Sequence, residues 1–463
     1  MTATHLTATE ATGLFESGEL SPVELLTDMI ARVKRVEPTI NAVTEEMIDS
    51  AYEAARESER RYRTGTARPL EGIPLMLKEE QPIAGMSLEE GSLLLKGEIA
   101  EETHPIIERI EAAGAVMHAR TTTPEFSAST VTHSKLWGTT RNPHNTDFTP
   151  GGSSGGAGAV LAAGSTLLAT GSDIGGSIRI PSSYCGVVGF KPPFGRVPGM
   201  APFNSDTYCA DGSMARTVAD VAMLQNVIAG PWARDQASLR ERLSLDASVT
   251  SLAGTRIALC LTLGNYRVDP EVIANTLAVG EALRAAGAEV ELVELPWSVD
   301  QVLETMKPHF AAIMGSALAD LAQGDPQLLE MLMPYSRALI GNGEGAMDYA
   351  AGLEAEARFY RPLGEMLERF DALVCPTVAG TGLAADDPCD DADTVFSNVM
   401  TMPFNIVGRV PVLAVPSGRA SNGVPTGVQI VGRTYDDQTV FKVGAALEAE
   451  MALWTSAEWW PAL

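Results

Sequence analysis

Two glycine–serine stretches, "TPGGSSGGAGAV" at 149–160 and "GSDIGGSIRIP" at 171–181, lie close together in the chain. Neither carries the Gly-Lys-Thr/Ser ending of a phosphate loop, and no G-x-G-x-x-G follows a strand there, so phosphate cradling fails on detail. Tight turns that merely exploit glycine remain open as a reading. Nucleophilic catalysis is the sharper one. A serine hydroxyl needs an adjacent base and donors for the oxyanion it creates. In "DIGGS" the consecutive glycines leave the N–H groups of Ile174, Gly175, Gly176 and Ser177 free to converge on one point. For the base, the six histidines (5, 104, 118, 133, 144 and 309) stand in no recognisable catalytic context. Lys78 is the other candidate. It ends the apolar run "GIPLMLKE" (72–79), and delivery of a lysine into an apolar interior favours the neutral amine.

These residues need elements to hold them. Residues 1–65 read as a helical segment packed on the core: Ser21 is an N-cap, Pro22 takes the first helical position, and Glu24 completes a capping box. A further helix, "MIDSAYEAARESERRYRTG", ends at Gly65. From 66 to 463 short apolar runs alternate with helical patterns. Strands are expected at 72–79, 115–121, 256–262, 289–295, 372–377 and 410–418. Helices are expected at 104–115 and over "PEVIANTLAVGEALRAAGA". Near-continuous apolar strands between helices imply a single large three-layer α/β/α domain with a mixed, mostly parallel twisted sheet. Residues 300–370 form a helical excursion carrying Met306, Met314, Met331, Met333 and Met347; these line a pliable apolar pocket or, by preference, pack the core.

Composition bounds the partners. The chain has 463 residues, and 33 Lys+Arg against 59 Asp+Glu give a net charge of −26. Such a surface repels phosphate backbones and anionic lipid, so neither nucleic acid nor membrane is expected. Five scattered cysteines without Cys-x-x-Cys spacing point to a reducing compartment and no structural zinc. The first twenty residues lack a basic segment followed by an apolar run, so the expected location is cytoplasmic.

The quoted stretches, extended by "GSDIGGSIRIPSSYCGVVGFKPPFGRVP", "TTTPEFSAS", "SKLWGTTRNPHN", "PFNIVGRVPVLAVPSG" and "GVPTGVQIVGR", resemble the amidase signature family of serine hydrolases. The likeness runs through most of the chain, with its most specific part at 145–200. It implies the fold above and a triad in which Ser177 is the nucleophile, Ser153 relays the proton across a cis Gly152–Ser153 peptide, and Lys78 is the base. It further implies an oxyanion hole at Ile174–Ser177 and bracing roles for Ser154, Asp173 and Arg179, Asp173 fixing the loop rather than acting as an acid. Substrate is expected to lie along Ser127 and Ala128, with specificity set by 120–135, 195–210 and 300–400. No metal or organic cofactor is required. The implied reaction is cleavage of small apolar or aryl amides through an acyl-enzyme, with carbamates (urethanes) and esters as further substrates, and a homodimer is compatible with it. Two alternatives stay open. One is the amidase subunit of a tRNA-dependent amidotransferase, disfavoured by the acidity and by "PEFSASTV" (124–131) where such subunits read like "DEFAMGSS". The other is a non-catalytic binding protein on the same fold.

Overall fold

The computed structural model describes residues 3–249, 251–341, 349–389 and 391–463. Its strands, in chain order, are β1 (Val43–Glu46), β2 (Pro74–Lys78), β3 (Val116–Thr121), β4 (His133–Ser134), β5 (Gly138–Thr139), β6 (Leu168–Asp173) and β7 (Val188–Lys191). They continue with β8 (Ala210–Ala215), β9 (Arg256–Leu259), β10 (Glu289–Leu292), β11 (Ala372–Pro376), β12 (Val412–Arg419) and β13 (Pro425–Gly432). Eleven of them build one sheet, in the order β1-β3-β2-β6-β8-β7-β12-β13-β11-β9-β10, while β4 and β5 pair apart. All six expected strands are present.

Side-chain alternation explains the layers. Successive residues of a strand point to opposite faces. On β2, Leu75 and Leu77 join a cluster with Phe190 and Phe441, whereas Met76 joins Val33, Val36 and Val160 on the other face. On β11, Val374 belongs to the first cluster, and Leu373 and Cys375 to one with Phe310, Met402 and Phe404. Both faces of the sheet are therefore covered, which makes the three layers.

The sheet is mixed, but the parallel majority expected from its apolar strands is not found. Parallel ladders join β2 to β3, β2 to β6, β9 to β10 and β9 to β11. The antiparallel ones are more numerous: β1–β3, β6–β8, β7–β8, β7–β12, β12–β13 and β11–β13. Burial on both faces produces continuous apolar runs whichever way the neighbours point, so the runs carried no direction. The N-terminal segment also departs from an all-helical reading. Its β1, a polar "VTEE" at the sheet edge, pairs with β3 and shows no apolar alternation. The helices follow their signals: Ser21 and Glu24 exchange both capping-box bonds, and Gly65 closes Ile48–Thr64 in the left-handed conformation. Among the described residues no helix is long and apolar enough to cross a membrane.

The fold brings the chemistry to one place. Strands β2 and β6 are parallel neighbours, so their C-terminal ends carry Lys78 and Ser172–Asp173 to the same edge of the sheet, where α/β proteins place their sites. The helix Gly155–Ala162 starts just after Ser153 and runs so close to the end of β3 that a Cβ at Gly156 would lie 2.6 Å from Thr122 N and 2.7 Å from Thr122 O. Backbone atoms cannot yield to it. Gly156→Ala is expected to cost about 1–3 kcal/mol, seen as a lower urea midpoint, and an unchanged midpoint would contradict the packing.

Candidate active site

Lys78 is fully buried at the end of β2. Its Nζ donates to Ser153 Oγ at 2.7 Å and to Ser172 Oγ at 2.9 Å, and lies 3.0 Å from Glu80 Oε1. Three partners match the three donors of an ammonium group. Two of them, Ser172 and Glu80, were not read from the sequence. Both stood beside residues that were, since Ser172 precedes Asp173 and Glu80 follows Lys78 by two. The burial argument for a neutral amine thus lacked a counter-charge. Burial works to raise the Glu80 carboxyl, but Lys78 beside it and hydroxyls of Ser127 and Ser172 outweigh that and hold it below the usual carboxylate range. Its neighbours behave oppositely: burial pushes Glu79 up to about 7 and, with repulsion from Glu80 and Glu79, Glu90 up to about 8.

The first serine loop owes its path to glycines. The Gly152–Ser153 peptide is cis, as the resemblance implied. A Cβ on Gly152 would lie 2.6 Å from Ser129 O, so only glycine lets the loop lie against residues 129–131. Ser154 N donates to Ser177 O at 3.0 Å and so joins the two serine loops directly.

The second loop is clamped by a buried ion pair. Asp173 accepts from Gly176 N at 2.8 Å and Ile178 N at 3.2 Å, and Arg179 donates to it from Nε and Nη2, each at 2.9 Å. Asn405 Nδ2 adds a bond at 2.9 Å, while Arg179 Nη1 reaches Thr401 O at 3.0 Å and Gln429 Oε1 at 2.9 Å. Burial tends to raise the Asp173 carboxyl; the Arg179 guanidinium and the Asn405 amide outweigh it and keep it ionised. Asn405 and Gln429 lie in the quoted stretches "PFNIVGRVPVLAVPSG" and "GVPTGVQIVGR", but no role was read for them or for Thr401, because all three are more than two hundred residues from the loop they brace. Gly176 has φ +129, and a Cβ there would meet Thr401 Oγ1 at 2.1 Å. One expectation changes. The Gly176 N–H is spent on Asp173, so of the four amides expected to converge only those of Ile174, Gly175 and Ser177 are left for that purpose.

Two cavities meet at these loops. An apolar pocket of about 70 Å³ holds Ser177 among Ile174, Phe310, Met314, Leu339 and Met402, and none of the described residues that line it carries a charged side chain. A cleft of about 350 Å³ reaches Ser153 and Ser172 and is lined by Glu80, Glu90, His104 and Asp211. Ser127, Ile174 and Met314 line both, and Ala128 lines the apolar one. Of the methionines, Met306 packs in the core, Met333 packs against Val131 and Tyr335, Met331 is half-buried, and Met347 lies outside the described residues. Met402, beside the "PFNIV" stretch, was not anticipated in the pocket. Among the described residues no histidine bonds to Lys78, Ser153 or Ser177; His104 caps the helix Pro105–Ala112 and His309 bonds Asp206 at 2.8 Å. Nor do the described residues offer a cluster of three or more His, Cys, Asp or Glu that could hold a metal ion.

This arrangement has counterparts. The family model described as Amidase matches residues 24–441. A glutamyl-tRNA(Gln) amidotransferase subunit from Synechococcus sp. (strain CC9605) is 32% identical, with 95% of each chain covered. A bacterial aryl acylamidase of the amidase signature family superposes with a TM-score of 0.89 at 28% identity, covering 99% of both chains. A 6-aminohexanoate cyclic dimer hydrolase gives 0.85 at 28% identity, covering 98% of this chain and 99% of its own. With its fold, its paired serine loops and a match across nearly its whole length, the chain belongs to the amidase signature family.

Proposed function

We propose that this amidase signature hydrolase is a free-standing enzyme that cleaves small apolar or aryl amides, with carbamates and esters as further substrates. The observation that carries the substrate class is the uncharged apolar pocket around Ser177, which suits a hydrocarbon or aromatic group on the scissile carbonyl. The aryl acylamidase neighbour fits that chemistry.

In the proposed cycle Lys78 takes the Ser153 proton while Ser153 takes that of Ser177. Ser177 Oγ attacks the carbonyl, and the oxyanion faces the amides of Ile174, Gly175 and Ser177. Such donors are worth about 3–4 kcal/mol each in related chemistry. The proton returns through Ser153 to the departing amine, the C–N bond breaks, and water releases the acyl group by the reverse relay. The 2.7 Å separation of Lys78 Nζ from Ser153 Oγ is short enough for the first transfer once the amine is neutral and accepts from the hydroxyl.

The amidotransferase reading keeps one specific support, the 32% identity to such a subunit over nearly the full length. The acidic charge of −26 weighs against a tRNA partner. An amidotransferase component requires partner chains for its reaction, whereas the free-standing enzyme turns over amides when purified alone.

Two outcomes are expected. The purified chain hydrolyses anilides and aliphatic amides unaided, and Ser177→Ala lowers kcat by about 10³-fold or more on amides and esters alike; activity surviving that change removes Ser177 as nucleophile. Lys78→Ala lowers amide turnover about 10²–10⁴-fold and ester turnover less, because an ester leaving group needs no protonation in step with bond breaking; equal losses would count against the relay.

A further inference from the structure

Glu80 has no part in that cycle, yet it touches the amine at its centre. One carboxylate oxygen lies 3.0 Å from Lys78 Nζ, and the other accepts the Ser127 hydroxyl. Ser127 in turn bonds Thr123 Oγ1 at 2.7 Å and lines both cavities. Phe126 and Ser127 have φ +53 and +54, a left-handed pair that L side chains adopt only where surroundings impose it. Glu80 thus bonds both the proton-accepting lysine and the strained turn along the cleft wall.

We infer that Glu80 is a positioning residue that acts through Lys78 and Ser127, making the lysine a stronger base by pairing with the ammonium it becomes, and holding the turn that borders the substrate. This rests on the triad reading above. During acylation the proton leaving Ser177 arrives, through Ser153, on Lys78, and a positive charge appears on Nζ within contact of a carboxylate. The charge is stabilised without any movement of the protein.

Other titratable groups line this cleft: Glu90 beside the β2 turn, His104 on the helix start, Cys209 and Asp211 by β8, and Asp235; Glu79 is buried next to them. Arg120 lies behind, bonding Glu79 and Gln81 carbonyls. None of them has a bond to Nζ, so their influence on the amine is weaker and less directional than that of Glu80.

The test is the pH profile of kcat/KM for an anilide substrate. In Glu80→Gln the acid limb moves to lower pH by about one unit or more, as removal of a contacting opposite charge requires, and the plateau kcat falls about threefold or more as the base weakens. Glu80→Asp keeps the charge and returns the limb toward wild type, which a merely structural role would not predict, and it preserves the comparison should the glutamine variant fold poorly. Ser127→Ala raises KM severalfold and leaves the limb in place. A Glu80→Gln profile superimposable on wild type would overturn the inference. So would a Glu90→Gln profile displaced as far as that of Glu80→Gln, since the effect would then belong to cleft charge in general. Undiminished amide turnover in Lys78→Ala would instead strike the triad reading itself, so the two failures are distinguishable.

Discussion

An ion pair without solvent contact, Asp173 with Arg179, holds the site in shape. Both side chains are fully buried, and breaking such a pair leaves an uncompensated charge at a typical cost of about 3–5 kcal/mol. The pair spans the loop that carries Ser177, with Asp173 at the end of β6 and Arg179 at the start of the helix Arg179–Cys185. It also reaches across the chain. Asn405 and Gln429 bond it from the C-terminal half, so the orientation of Ser177 depends on two distant parts of the sequence folding together. Gly176 completes the device, because no side chain fits between its backbone and Thr401.

Around that fixed loop the site has two sides of different character. Ser177 faces an apolar pocket, and the lysine–serine relay faces a cleft rich in carboxylates. In the proposed cycle this division separates the binding of a hydrocarbon group from the handling of protons. The two sides meet where Ser154 ties one serine loop to the other. Glu80 and Ser172, together with Ser153, give the Lys78 amine a partner for each of its donors.

Much of this was legible in the residues. The glycines around Ser153 and Ser177 signalled backbone in close approach, and a lysine ending an apolar strand signalled a buried amine. Strand positions followed from apolar runs because those runs report burial. What stayed hidden has physical causes. Burial on both faces erases the alternation that separates parallel from antiparallel neighbours, so strand direction was not readable, and β6, β7, β8 and β13 were not read as strands at all. The edge strand β1 is polar and half-exposed, and its pairing with β3 leaves no apolar pattern to read. Thr401, Asn405 and Gln429 support the loop that carries Ser177 only through tertiary proximity. The free donors of "DIGGS" were overcounted because Asp173, read as a loop brace, takes one of them for that purpose.

The proposed chemistry stands or falls on the oxygen at position 177, which, served by a buried lysine through one intervening serine, forms a covalent bond to the group being cleaved. The decisive experiment is peptide mass mapping after treatment with a fluorophosphonate. The adduct is expected on the peptide segment containing Ser177, with fragmentation localising it to that residue. An adduct on Ser153, Ser172 or Cys209 instead, or activity lost without any label at Ser177, would contradict it.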